Sequence, residues 1–413
     1  MTINDPILQQ ISQFSPQDVL LADVAIRIQL SPTDYITATG HYEAMAAWID
    51  RPGSPLRGRV IEFYPQGGFS TGSTVAGHSD EAEFDLDGMA AIDWDQFVDP
   101  EYALGTLHNA IAAEKGSRYY DKAERKTRCT QVQYARMHLD LTPSVLITSG
   151  ERKTSWIFHS KPSDPSVRKT RLLANPFGLA EWFNSRTRAD VAFGSFFERA
   201  SLNFARETLT MHADAAPVPQ QLPAYRKSRQ VICLQLIKRW RNIVYDRRHR
   251  GLRLPPSVLL TFYVGLNAGV ERSLLDELIH QVESIIAVIE TAVGAGRLVR
   301  AWNPACPEDE LTDRWPASPA DQMIFLKELR DFSSKLGRLK AGVPLHEMSL
   351  ILEGLFGERP ARDAVAAYGQ RQVNDNAAGT GLYIPGRGAV PALGSLAAPS
   401  AAKAIPRSTP FGD

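Results

Sequence analysis

Two hydrophobic periodicities share this chain, and the place where one gives way to the other marks its chemistry. Over 15–29 the apolar positions Leu20, Val24, Ile26 and Ile28 predict a helix. A second is predicted over 32–49, with Ser31 as N-cap and Pro32 at its first position. Tyr42, Met45 and Trp48 recur there every third residue, and Tyr35 lies two turns before Tyr42, so one stripe of the helix is buried. Arg51-Pro52-Gly53-Ser54-Pro55 then breaks the helix, and the period changes to two. A strand is predicted over 59–64. A second, over 83–89, alternates Phe84 and Leu86 with Asp85 and Asp87, which puts both carboxylates on one face and both apolar side chains on the other. A helix over 100–115 carries Tyr102, Leu104, Leu107, Ile111 and Ala112. After the basic stretch 122–128, a long strand over 130–147 alternates Ala135, Met137, Leu139 and Leu141 with Arg136, His138 and Asp140, so Asp140 also projects from a sheet face.

From Pro223 onward the period is helical: Val231, Leu234, Ile237, Trp240 and Val244, then Leu275, Leu278, Ile279, Val282, Ile285, Ile286 and Ile289, then Leu326, Leu329, Phe332 and Leu336. The helical part is expected to end near Tyr368. Beyond it, 374–413 is rich in Ala, Gly, Pro and Ser and has few large apolar residues, so it buries too little surface to offset its ordering entropy and reads as a flexible tail. No internal repeat is visible. The expected organisation is a lobe over 1–195, a helical lobe over 196–370 and a tail over 371–413.

Composition narrows the function classes. With 413 residues, 44% of them hydrophobic and 22% charged, the chain can bury a large core. Lys+Arg and Asp+Glu are equal at 46 each, so nothing global marks a nucleic-acid or membrane binder, and any polyanion must be bound locally. The cysteines Cys129, Cys233 and Cys306 have no zinc or redox spacing. No signal peptide is recognisable, and no apolar run approaches the about 18 residues a span needs, so the expected compartment is the cytoplasm.

The candidate chemistry lies between the first two strands, in QGGFSTGST over 66–74. Gly67, Gly68 and Gly72 let the backbone approach a ligand closely, and turn N–H groups with the hydroxyls of Ser70, Thr71, Ser73 and Thr74 form a cradle for phosphate oxygens. Asp85 and Asp87 follow, two acceptor-only groups suited to a divalent cation carried by a nucleoside triphosphate, and Asp140 is the natural third carboxylate. Asp80, Glu81, Glu83, Asp93 and Asp95 read as a solvated loop. His78 and His138 read as polar packing or nucleotide-edge residues, because an oxygen-rich site suits magnesium rather than zinc. Arg239, Arg241, Arg247, Arg248 and Arg250 read as an exposed helix face. Ser257, after Pro255-Pro256 at a predicted helix start, is either a phosphate-binding hydroxyl or an N-terminal capping residue.

The order QGGFSTGST, DLD (85–87) and HLDLTP (138–143) resembles the polymerase-β-like nucleotidyltransferases, and within them the bacterial relatives of cyclic GMP-AMP synthase, the CD-NTases. Further matches run from Leu30-Ser31-Pro32-Thr33 through Asn175-Pro176, Trp182-Phe183 and Lys238-Arg239-Trp240 to Asn303-Pro304 and Arg314-Trp315, spanning about 30–315. Two positions depart from the pattern: Gly68 stands where the family usually has Ser, and Ser73 where it usually has Thr. The resemblance implies an α+β fold, a nucleotidyltransferase core with a mixed sheet followed by a helical lobe. It implies two Mg2+ or Mn2+ ions held by Asp85, Asp87 and Asp140, and nucleoside triphosphates, ATP among them, bound by Gln66, Gly67, Gly68, Ser73, Lys238 and Ser257. It also implies synthesis of a cyclic oligonucleotide as an alarm signal in anti-phage defence, with a partner that conjugates or activates the enzyme through the tail, and no membrane or stable nucleic-acid partner. Two other readings stand beside it: a template-independent nucleotidyltransferase acting on RNA or protein, and a non-catalytic nucleotide-sensing scaffold.

Overall fold

The architecture comes from a computed structural model that describes residues 15–77, 83–147, 152–161, 163–164, 168–188, 193–194, 197, 227–269, 272–378, 382–384, 388–390 and 403–404. Helices α1 (Pro16–Arg27) and α2 (Pro32–Ile49) begin where the sequence predicts, at Ser15 and Ser31, whose hydroxyls accept from Asp18 N–H and Asp34 N–H. At Ser15 the Asp18 carboxylate reaches back to complete a capping box.

Next come β1 (Val60–Gln66), the short helix α3 (Gly67–Thr71), β2 (Phe84–Ile92), α4 (Pro100–Ala112), β3 (Ala123–Arg125), β4 (Thr130–Gln133), β5 (Met137–Leu146), β6 (Ser155–His159), β7 (Thr170–Ala174) and α5 (Pro176–Arg186). The seven strands form one mixed sheet, with order β1-β2-β5-β4-β3 and with β6 and β7 continuing from β5. The β2–β5 pairing is parallel, and the other pairings of this sheet are antiparallel. The parallel register sets Asp85 against His138 and Asp87 against Asp140.

One face of this sheet is sealed by α2 and α4. Leu86, Leu139 and Leu141 bury there against Ala38, Met45 and Ile49 of α2 and Leu107 and Ile111 of α4, each large side chain contributing about 1.5–3 kcal/mol. Gly88 permits the approach: a Cβ there would sit 3.2 Å from the Tyr42 ring and 3.3 Å from Leu141. The carboxylates take the opposite face.

Two expectations change here. The single strand expected over 130–147 is a hairpin, β4 and β5, turned at Tyr134-Ala135-Arg136, where Tyr134 N–H donates to Met137 O at 2.8 Å. Alternation runs through this turn unbroken and no Gly or Pro marks it, so the sequence shows one strand. The glycine turn is likewise not open loop. It forms α3, which ends at Gly72 in a left-handed conformation, φ +65°.

The remaining described helices are α6 (Arg229–Arg248), α7 (Ser257–Leu266), α8 (Leu274–Gly294), α9 (Pro319–Ala341), α10 (Leu345–Phe356) and α11 (Glu358–Ala378); β8 (Trp302–Asn303) and β9 (Cys306–Glu310) form a small ribbon after α8. Their core centres on Trp240, stacked on Phe332 at 4.5 Å. Although first in the chain, α1 belongs to this core, not to the lobe expected over 1–195. Asp18 accepts from Leu275 N–H at 2.9 Å, and Leu20, Leu21 and Val24 bury among the late helices. The helical part also runs on to Ala378, past the expected end near Tyr368, because Tyr368 is buried and Arg371 pairs with Asp23 of α1. Three short strands, β10 (Leu382–Ile384), β11 (Gly388–Val390) and β12 (Lys403–Ala404), lie within the expected tail; its last residues, 405–413, are outside the described residues. Among the described residues, no helix is long and apolar enough to cross a membrane.

Candidate active site

The site follows from the register of β2 and β5. Asp85 and Asp87 are two residues apart on β2, so they share a face, and Asp140 is the direct partner of Asp87 on β5. The sequence expected these three carboxylates to converge, and the structure places them together.

Their charges are unevenly compensated. Asp85, with 68% of its side chain exposed, receives a 2.9 Å hydrogen bond from His138 Nε2. The protein crowded around Asp85 works against ionisation, but that bond and the positive charges of His138, Lys238 and Arg241 hold it below the ordinary carboxylate value. Asp87 goes the other way: burial, then the charges of Asp85 and Asp140, push it up to about 7. Burial and Asp85 also raise Asp140, against His138 and a 2.9 Å hydrogen bond from Gln131 Nε2 to its Oδ1. His138 is itself raised to about 9 by its bond to Asp85, more than burial lowers it, and its Nδ1 lies 3.2 Å from Glu83. At neutral pH His138 is thus a cation that orients Asp85, a role the sequence did not assign to it. His78 lies outside the described residues.

Among the described residues, no group of three His, Cys, Asp or Glu side chains closes around a metal-sized point; Asp85 is turned to His138 and Asp140 to Gln131. The donor set nonetheless fits a hard divalent cation, since all three groups are carboxylates, and burial together with the charges of Asp85 and Asp140 raises Asp87 to about 7 despite Lys238 and His138.

The cradle abuts this set. Gln66 pairs with Asp87 across β1 and β2, ends the strand and is the N-cap of α3, though its side chain makes no capping hydrogen bond. Gly67, at φ +61°, touches Asp87 so closely that a Cβ would overlap its Oδ2. Gly68 is also sterically required: a Cβ there would meet Thr74 Oγ1 at 2.6 Å and the Thr74 backbone at 3.2 Å. A serine at 68 would therefore require Thr74 to shift. Ser73 is fully buried, with its hydroxyl 2.8 Å from that of Thr71, so it fixes the turn from within and offers its carbonyl to Lys238 Nζ at 3.0 Å.

Helix α6 closes the cradle from the other side. Gln235, Lys238 and Arg241 recur every third residue: Gln235 donates to Thr74 O at 2.8 Å, and Arg241 donates to Pro255 O at 2.7 Å and Ser257 Oγ at 3.2 Å. Burial and Arg241 lower Lys238 to about 8, opposed by Asp85 and Asp87. Arg241 falls to about 10 through burial, opposed by Asp85.

Two sequence expectations are corrected here. Arg239 and Arg241 are not on an exposed face: Arg239 is tied to the carbonyls of Phe356, Ala76 and Gly77, and Arg241 is buried and tied to Pro255 O and Ser257 Oγ. Ser257 does not cap α7, whose N-cap is Pro256; its hydroxyl accepts from Arg241. The three-residue spacing of Gln235, Lys238 and Arg241 along the helix was the signal that could have found Arg241.

No family model matches the chain. It is 35% identical over 403 residues, 94% of each chain, to the cyclic dinucleotide synthase CdnG of Bradyrhizobium diazoefficiens, and 24% identical over 379 residues to a c-di-GMP synthase of Roseivirga ehrenbergii. The solved structure of the Bradyrhizobium diazoefficiens CD-NTase CdnG in complex with GTP superposes with a TM-score of 0.72 at 34% identity, covering 86% of this chain and 99% of that one. An E. coli CdnC structure with ATP, at TM-score 0.53 and 13% identity, shares the fold. With near-complete coverage and a mixed sheet whose β2 and β5 bring three aspartates together beside a glycine turn, this chain belongs to the CD-NTase family of nucleotidyltransferases.

Proposed function

We propose that the protein joins nucleoside triphosphates into a cyclic oligonucleotide by metal-dependent nucleotidyl transfer, with GTP and ATP as candidate substrates. The observation that carries this reading is the placement of Asp85, Asp87 and Asp140 on one sheet face against Gly67. The CdnG relative, a cyclic dinucleotide synthase solved with GTP, supports both the product class and the nucleotide.

In this reading Asp85, Asp87 and Asp140 would hold two Mg2+ or Mn2+ ions, with Asp140 serving the acceptor side. Bound there, the ions would lower the pKa of the attacking ribose hydroxyl and neutralise charge on the leaving pyrophosphate. The chain's own residues do the positioning. His138 fixes Asp85, Gln131 fixes Asp140, and Gly67 and Gly68 let the backbone come close to the donor phosphates. Lys238 and Arg241 bring two buried positive charges to the same phosphates, and Ser257 adds a hydroxyl held by Arg241. The product would act as a signal in anti-phage defence, the role implied by the family resemblance.

Incubation of the purified chain with labelled nucleoside triphosphates and Mg2+ or Mn2+, followed by phosphatase treatment and mass spectrometry, tests the reaction. The expected result is a phosphatase-resistant cyclic species; only linear or protein-attached products would favour a different transfer reaction.

A further inference from the structure

A buried cation without an acidic partner is costly unless a ligand supplies the missing charge. Lys227, just before the N-cap of α6, is a half-buried cation of this kind. Its Nζ donates to Gln29 Oε1 at 2.9 Å, and among the described residues it forms no ion pair with a carboxylate. Burial and the neighbouring Lys238 lower it to about 8. Gln29, whose oxygen is used by Lys227, keeps a buried Nε2 with no hydrogen-bond partner among the described residues. Lys227 thus has a neutral acceptor but no counter-charge, and the Gln29 Nε2 beside it has no acceptor among the described residues.

Their position along the cradle identifies what they face. Gly67, at the start of α3, touches Asp87, whereas the Cβ position of Gly72, at the other end, lies 4.0 Å from Lys227 Cε. A triphosphate whose α-phosphorus lay at the carboxylates and which followed the turn from Gly67 toward Gly72 would pass Lys238, which is fixed to Ser73 O, and bring its terminal phosphate to Lys227. We propose that Lys227, held by Gln29, receives the terminal phosphate of the donor nucleotide and makes the site select triphosphates over diphosphates. This rests on the nucleotidyl-transfer reading, but its test is binding rather than turnover.

The measurement is the affinity of a nonhydrolysable GTP analogue and of GDP, each with Mg2+, for the full chain. Wild type should prefer the triphosphate by about tenfold or more, the scale of one charge-assisted contact. Lys227→Gln should lose most of that preference by weakening the analogue while leaving GDP within about twofold, and Lys227→Arg should keep it. Gln29→Glu supplies an internal carboxylate to Lys227 and should abolish the preference with the melting temperature unchanged or raised, which carries the test if Lys227→Gln does not fold. A retained preference in Lys227→Gln or Gln29→Glu, equal weakening of both nucleotides, or no preference in wild type would overturn the assignment. A wild type with the preference but no cyclic product would sink the proposed function and leave Lys227 in place; product formation with the preference intact in Lys227→Gln would do the reverse.

Discussion

Asp87 on β2 and Asp140 on β5 are register partners on adjacent parallel strands, which brings two carboxylates from distant parts of the sequence onto one sheet face. Without an ion their mutual repulsion is borne by the fold, and together with burial and the Asp85 charge it raises Asp87. Asp87→Asn removes that repulsion. It should raise the melting temperature of the metal-free protein by a few degrees while lowering product formation by about a hundredfold or more. A lower melting temperature would mean that Asp87 is a structural group rather than one held for a ligand.

The same proton sets the pH dependence of metal binding. The folded value of Asp87, about 7, lies above its ordinary 3.8, so the metal-free fold loses stability as pH rises through 3.8 toward 7, and a metal must displace the proton below 7. Mn2+ affinity, followed by calorimetry in buffers of different ionisation enthalpy, should rise up to about tenfold per pH unit below 7 with release of about one proton, then flatten. A pH-independent affinity between 5 and 7 would place the metal elsewhere.

Lys238 contributes charge to the donor phosphates in both ground and transition states. Lys238→Ala should raise KM by about tenfold or more with a smaller change in kcat. Steady-state kinetics showing the whole loss in kcat would assign it to the transition state alone.

Restoring the family's usual serine at 68 should be harmful in this chain. Gly68→Ser drives a Cβ into Thr74 and should cost about 1–3 kcal/mol of stability. Adding Thr74→Ala should recover only part, since the Thr74 backbone is itself 3.2 Å from the Cβ position. Chemical denaturation of the single and double variants reads this directly, and a neutral Gly68→Ser would show that the turn can shift.

How much of this could be read in the sequence depends on the range of the interaction. The period of two placed Asp85 and Asp87 on one face, and Ser31-Pro32 fixed the start of α2, because both are local rules. Asp140 was found by alternation, but its pairing with Asp87 is a matter of strand order, which no local pattern carries. The hairpin at Tyr134 was missed because its turn residues are not turn formers. Arg241 and Lys227 were missed for a different reason: a cation reads as surface until the chain that buries it is known. The early α1 joins the late helices through contacts such as Asp18 with Leu275, a separation that periodicity cannot bridge.

The most direct test of the central claim is a crystal structure of the chain with Mn2+ and a nonhydrolysable GTP analogue, with the ions located by anomalous scattering. Two peaks about 3.5–4 Å apart are expected, held by Asp85, Asp87 and Asp140, with the triphosphate along the turn from Gly67 to Gly72. Anomalous density away from these three carboxylates, or a triphosphate bound outside the turn, would contradict it.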